Sequence, residues 1–275
     1  MEIVAFVDTL GFKQKISSIT HIEAEEVIKS FNSEIYNLWQ RLGYNNEDSI
    51  KGLTFSDSFI IYTTNNLPQS LNKILTFLKE LYKISITKCD LPLRGGISIG
   101  NFNKIPAIEF KNLEKELVVG TAFIDAYSLE SMSKIKGSKL IFRQDIHLII
   151  ENNFKESFYS KEISTKSKKD EKLYELIWAD IDFLNNDVVL NKFVELACKS
   201  QWLDHYYHTL ETFLTKENQE RKHKVFHKIL SLLNEKFKYT DIDNFIENFL
   251  KTDGITNLKK CFLVFLREQI NPNFC

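Results

Sequence analysis

The sequence predicts an α+β fold: a ferredoxin-like βαββαβ sheet followed by an all-α C-terminal extension. Three observations carry this reading. Apolar strand runs and helical stripes succeed one another as strand, helix, strand, strand, helix, strand as far as Gly100, which is the split βαβ order. Strand and helix signals then recur up to about Asp182. From about Asn185 the strand signals vanish and only helical periodicity remains. The expected domains are therefore 1–182 and 183–275.

Each element has its own warrant. "EIVAFV" is apolar on both faces and reads as a central strand. His21 to Leu42 reads as a helix, with Val27, Ile28, Phe31, Ile35, Leu38, Trp39 and Leu42 along one stripe. "KGLTFSDSFIIY" supplies two short strands flanking Ser56-Asp57, and Leu71, Ile74, Leu75, Leu78 and Leu81 mark a second long helix. In "LPLRGGISIG", Leu93, Ile97 and Ile99 face one way and Arg94 and Ser98 the other. "KELVVG" reads as a strand, "TAFIDAYSLESMSK" as a helix and "SKLIF" as a strand. "YELIWAD" closes the sheet after the charged loop "STKSKKDEK". Helices then cover one sheet face and leave the other free for a ligand or partner chain. Beyond Asn185, "NKFVELACKSQWLDHYYHTLETFL", "ERKHKVFHKILSLLNEKF", "TDIDNFIENFLK" and "TNLKKCFLVFLREQI" are helical, with Thr240 and Asp241 as an N-cap region.

Composition narrows the function. The chain has 275 residues and is 43% hydrophobic, enough for a packed core. Lys+Arg 36 against Asp+Glu 37 leaves a formal charge of -1, without the basic excess of a general nucleic-acid binder. Cys89, Cys198, Cys261 and Cys275 are far apart, with no CxxC pair, which fits reduced thiols in a cytoplasmic protein. No signal-peptide pattern opens the chain, and no apolar run approaches the roughly 20 residues that span a bilayer. His205 and His208, near Asp204, read as solvated surface, and "KENQERKHKVFHK" as a solvated helix face. No G-x-x-x-x-G-K-[ST] phosphate loop is present.

The chemistry concentrates on two acids. Asp8 ends the first strand, and Asp57 sits at the tip of the hairpin that the topology lays beside it. Two carboxylates meeting at one sheet edge repel and are costly to desolvate, so they call for a cation. Their hard oxygens suit Mg²⁺ or Mn²⁺, and two such ions clamp the attacking and leaving oxygens of a phosphoryl transfer. The turn Leu10-Gly11-Phe12 follows, where backbone N–H groups could cradle a triphosphate. The competing reading is helix capping for Asp8 and turn chemistry for Asp57.

"FVDTLGF", "FSDSF", "LRGGISIG" and "VVGTAFIDAYSLES" occur in that order. The set resembles class III nucleotidyl cyclases, with their F-x-D-I-x-G-F motif, G-D hairpin, R-x-G-I-x-x-G strand and G-x-x-V-N-x-A-x-R-L-E helix. The branch it looks most like is the Pycsar pyrimidine cyclases, which make cyclic UMP or cyclic CMP from UTP or CTP in bacterial antiphage defence. The resemblance covers roughly the first two-thirds of the chain. It implies a palm domain with Asp8 and Asp57 as metal aspartates, and Thr9 lending a carbonyl to the second ion. It also implies a head-to-tail homodimer with active sites at the interface.

The departures from that pattern are specific. Leu53 and Leu117 stand where purine cyclases carry the lysine and the acid that contact adenine. Neither makes a hydrogen bond, which fits a remodelled pyrimidine pocket; Phe55, on the same strand face as Leu53, could stack on the base. Ordinary core packing is the alternative for both. Ile124 and Ser128 replace the asparagine and the arginine that steadies transition-state charge. Arg94 is the expected replacement, since Gly95-Gly96 beside it admits a ligand or a second chain; pairing with a local acid is the alternative. Lys166, Lys168 and Lys169 lie near the family's triphosphate lysine, and "RGGIS" lacks the acid that follows the glycines of dinucleotide cyclases. The expected function is a pyrimidine nucleotide cyclase. The alternatives are a catalytically silent palm that binds nucleotide or a partner, and a purine cyclase with an atypical pocket.

Overall fold

Strand β1 (Glu2–Thr9) carries Ile3, Val4, Ala5, Phe6 and Val7, all buried, so it has to be paired on both edges and covered on both faces. The rest of the first unit, Met1–Trp178, does this in a computed structural model of the chain. The structure describes residues 1–105, 117–132, 135–163, 172–197 and 203–215, with scattered positions from 218 to 232. After β1 come α1 (Phe12–Ser17), α2 (His21–Arg41), β2 (Ile50–Phe55), β3 (Ser58–Thr63), α3 (Pro68–Cys89) and β4 (Leu93–Gly100). Next are β5 (Asn103–Ile105), β6 (Leu117–Val119), α4 (Thr121–Glu130), β7 (Leu140–Arg143), α5 (Gln144–Asn153), β8 (Ser160–Ile163) and β9 (Leu173–Leu176).

Among the described residues the main sheet runs β2-β3-β1-β4-β7-β9-β8, and its first four strands are the expected split βαβ order. β1 pairs antiparallel with β3 and β4, so Asp8 lies opposite Ser58 on one side and Arg94 on the other. β4 and β7 pair in parallel. "YELIWAD" enters as β9 but does not close the sheet; β8 forms the edge, and its four mostly polar residues were too short a signal to read. "KELVVG" supplies β6, which pairs with β5 in a separate two-stranded sheet.

α2 begins with a capping box, in which the Thr20 hydroxyl accepts from the Glu23 N–H and the Glu23 carboxylate accepts from the Thr20 N–H. α2 and α3 cover one face, where Trp39, Tyr44, Phe59 and Phe77 form an aromatic cluster. The expectation that the other face stays free needs correcting. Val4, Phe6, Ile60 and Tyr62 make that face apolar too, and α4 covers it with Ala122 and Ala126. The role expected for the Gly95-Gly96 pair changes with it. A Cβ at Gly96 would lie 2.2 Å from the Ala126 carbonyl oxygen, so the close approach serves α4 of the same chain. A Cβ at Gly95 would meet the Phe6 carbonyl at 2.7 Å and the Tyr82 hydroxyl at 3.1 Å.

The second unit, Ala179–Cys275, contains α6 (Ile181–Leu184), α7 (Asp187–Ala197) and α8 (Leu203–Phe213). Asp180 caps α6 by accepting from the Phe183 N–H at 3.1 Å. Phe193 of α7 and Phe213 of α8 meet edge to face at 5.2 Å. The helices expected in "TDIDNFIENFLK" and "TNLKKCFLVFLREQI", and the Thr240–Asp241 cap, lie outside the described residues. Among the described residues no helix is long and apolar enough to cross a membrane.

Gly96→Ala should cost about 2–3 kcal/mol, because the added methyl group meets helix backbone that cannot give way. Gly43→Ala is the control: its Cβ meets nothing within 4 Å, and the residue bears only the left-handed penalty of about 1 kcal/mol. Urea unfolding of both variants measures the difference.

Candidate active site

Directly opposed residues of antiparallel strands share a face, so Ser58, Asp8 and Arg94 form one row across β3, β1 and β4. The Ser58 hydroxyl donates to Asp8 Oδ1 at 2.7 Å. Burial pushes the Asp8 carboxyl from 3.8 up to about 6. The hydrogen bond from Ser58 opposes this, the charges of Asp57 and Glu130 add to it, and the Arg94 charge pulls it back.

Asp57 arrives from the hairpin. Phe55 pairs with Ser58, which leaves Ser56-Asp57 as a two-residue turn. Ser56 has φ 51, a left-handed conformation, where the resembled G-D hairpin has glycine. The buried Thr9 hydroxyl donates to Asp57 Oδ2 at 3.3 Å and ties the turn to the end of β1. The bland readings do not describe what these acids do. The N-cap of α1 is Gly11, with no side-chain cap, so Asp8 caps no helix. The Asp57 carboxylate accepts from β1, not from its own turn.

The donors fit a divalent cation. They are carboxylate and hydroxyl oxygens, and an acid held at about 6 by burial beside a second acid is relieved by a positive ion. Among the described residues no group of three His, Cys, Asp or Glu is placed to hold a metal ion, so further ligands here would be backbone, water or substrate oxygens.

The remaining expected residues divide. Leu10 donates its N–H to the Pro92 carbonyl at 2.8 Å, which takes it out of the expected phosphate cradle. Gly11, at φ 74, and Phe12 stand at the start of α1, where backbone N–H groups lack intrahelical acceptors. Arg94 does pair with a local acid: its Nε and Nη2 donate to Glu130 Oε1 at 2.8 and 2.6 Å. That uses two of five guanidinium N–H groups. Leu53 packs against the cluster of Val4, Phe6 and Ile60. It also lines a groove of about 680 Å³ along β2, with Thr54, Tyr62 and Lys104. Phe55 is 39% exposed. Leu117 pairs with Ile105 on the separate β5–β6 sheet. Ile124 is 59% exposed, and the Ser128 hydroxyl donates to its carbonyl at 2.7 Å, so Ser128 does not stand in for an arginine. Lys166, Lys168 and Lys169 lie outside the described residues. His205 and His208 are on α8, where His208 Nδ1 lies 3.6 Å from Glu211. Sequence reasoning missed Ser58 and Glu130. The hairpin register would have found Ser58; Glu130 is the acid that ends the resembled helix motif, but only the packing of α4 shows that it meets Arg94.

No family model matches the chain, and no curated protein does. Solved structures do. The guanylate cyclase domain of RhGC from Catenaria anguillulae, in complex with GTP, matches at 14% identity and a TM-score of 0.50, covering 64% of this chain and 94% of that one. The adenylyl cyclase CyaB from P. aeruginosa matches at 13% and 0.49, covering 64% and 92%. The guanylyl cyclase domain of RhoGC from Blastocladiella emersonii also matches at 13% and 0.49, covering 64% and 94%. At 14% identity the first of these likenesses shows the fold alone, the mixed α+β sheet of a cyclase domain.

The raised Asp8 carboxyl has a signed consequence. An acid harder to ionise folded than unfolded favours folding at low pH; its contribution is complete below 3.8 and is lost as pH rises through about 6. Metal-free Asp8→Asn should therefore gain stability over the parent as pH rises through that window and hold the gain above about pH 7. Mn²⁺ affinity, which needs the ionised acid, should fall about tenfold per unit below about 6. Urea midpoints and Mn²⁺ titrations across pH check both.

Proposed function

We propose that the protein is a nucleotidyl cyclase that converts UTP or CTP into the 3′,5′-cyclic monophosphate and pyrophosphate. The observation that carries the reading is the convergence of Asp8 and Asp57 at the end of β1, each oriented by a hydroxyl donor. The 3′-oxygen forms a bond to the α-phosphorus, the bond to the leaving pyrophosphate breaks, and the hydroxyl proton passes to water.

Asp8 and Asp57 would hold Mg²⁺ or Mn²⁺, as a pair of ions, with the Thr9 carbonyl as a further ligand. Bound there, the ions supply neutralisation of phosphate charge and acidify a coordinated hydroxyl. The Ser58 and Thr9 hydroxyls fix the two carboxylates, so orientation is set before substrate arrives. Gly11 and Phe12 present backbone N–H groups to phosphate oxygens. Arg94 has three guanidinium N–H groups beyond those given to Glu130, and these would steady charge that develops on the phosphate. Leu53, Phe55 and Leu117 would contact the base, and because none of these three can hydrogen-bond to it the usual purine readout is absent, which favours a pyrimidine. The biological setting implied is second-messenger synthesis in bacterial antiphage defence, in the cytoplasm. A head-to-tail homodimer fits the exposed surface of α4, where Ile124 is 59% exposed and Tyr127, edge-on against Phe6, is 50% exposed.

Incubation with Mn²⁺ and each of the four nucleoside triphosphates in turn should release pyrophosphate from UTP or CTP. Turnover of ATP or GTP instead would show a purine cyclase, and no turnover with any would leave a silent nucleotide binder. Asp57→Ala should abolish turnover with an unchanged circular dichroism spectrum; retained turnover removes Asp57 from the chemistry. In sedimentation equilibrium the parent should dimerise and Ile124→Asp should shift it toward monomer.

A further inference from the structure

Arg94 stands directly opposite Asp8 in the β1–β4 pair, on the same sheet face, where Cβ atoms lie about 4.5–5.5 Å apart. Opposite charges placed so close and partly out of water ordinarily pair. Here they do not. Both of the Arg94 hydrogen bonds go to Glu130 Oε1, and Asp8 takes its own from Ser58. Glu130 is the last residue of α4, with a side chain 5% exposed against 19% for Arg94, so this partnership is settled where a lone charge is costly. The depth of α4 sets the position of Glu130. Gly96, two residues from Arg94 and on the same face of β4, admits the Ala126 carbonyl, and Ala126 lies one helical turn before Glu130.

Resting on the reading of Asp8 as a cation ligand, we propose that Glu130 is a positioning residue that holds Arg94 off Asp8. The carboxylate is thereby left for a divalent cation and the guanidinium for substrate phosphate. With Glu130 neutralised, the acid directly opposite Arg94 is Asp8. An Asp8–Arg94 ion pair then occupies the place of the cation and cancels the charge that attracts it.

The test compares the parent, Glu130→Gln and Glu130→Gln/Arg94→Gln, with Asp8 and Asp57 intact and folding checked by circular dichroism. Mn²⁺ is the probe, read by water-proton relaxation. Glu130→Gln is expected to weaken Mn²⁺ binding ~10- to 100-fold. Removing Arg94 in the double variant is expected to restore most of it, a rescue that loss of a merely structural contact would not show. A crystal structure of metal-free Glu130→Gln is expected to place the Arg94 guanidinium on the Asp8 carboxylate. Parent-like Mn²⁺ affinity in the single variant, a double variant as weak as the single one, or an Arg94 turned away from Asp8 overturns the proposal. Should Glu130→Gln fail to fold, Glu130→Asp keeps the charge with a shorter reach, and a smaller but measurable loss of Mn²⁺ affinity is expected. A parent protein that takes up no Mn²⁺ overturns the cation reading of Asp8, and the crystal structure then decides the Glu130–Arg94 relation separately.

Discussion

Strand β1 is paired along both edges and covered on both faces, and that constraint decides where polar chemistry can sit. Along its middle, from Ile3 to Val7, every side chain is buried hydrocarbon and every neighbour is strand or helix. The acid that follows comes near the end of the pairing: Asp8 stands at the last β1–β3 pair, one residue before the last β1–β4 pair. Its ionised form is still disfavoured by burial, as its rise to about 6 shows, and the Ser58 hydrogen bond offsets only part of that. The strand therefore ends on an acid that is pre-oriented and under-compensated. Those properties are what the proposed role of cation ligand asks of Asp8.

Much of this was legible in the chain. The doubly apolar "IVAFV" marks the central strand, and a two-residue turn between paired strands carries Asp57 to its end without any knowledge of packing. What escaped reading has a common cause. α4 was visible as a helix, but the face it covers was not, because its period says nothing about which side of a sheet it joins. The true neighbours of Gly96 and Arg94 were hidden with it. The buried pair Lys139 and Glu175, 6% and 1% exposed, was hidden likewise: Lys139 lies in "SKLIF" and Glu175 in "YELIWAD", and only the β7–β9 neighbourhood joins them.

The loss of an arginine at Ser128 weighs differently once Arg94 is placed. Ser128 closes its hydroxyl onto its own helix and gives the site no charge. A site with two acids and no cation of its own would rely wholly on metal to steady a triphosphate. Arg94 lies in the row of Asp8, but its charge is shared with Glu130, so the described side chains around Asp8 remain net negative. On the proposed function, such a site would take divalent cations first and anionic phosphate through them.

Leu53 shows why core packing and base recognition are not rival explanations. It packs against Val4, Phe6 and Ile60 and also lines the groove along β2, so its packing leaves the proposed contact with a base open to it. Placing an amine there for a purine edge would put a charge against that apolar cluster, a cost that leucine avoids. Phe55 is the contrasting case. It lies on the same strand face, opposite Ser58 and two residues from Asp57, yet it is 39% exposed and core packing does not account for it. The proposed stacking rests on that exposed ring: the flat face of a nucleobase would cover it without hydrogen bonds.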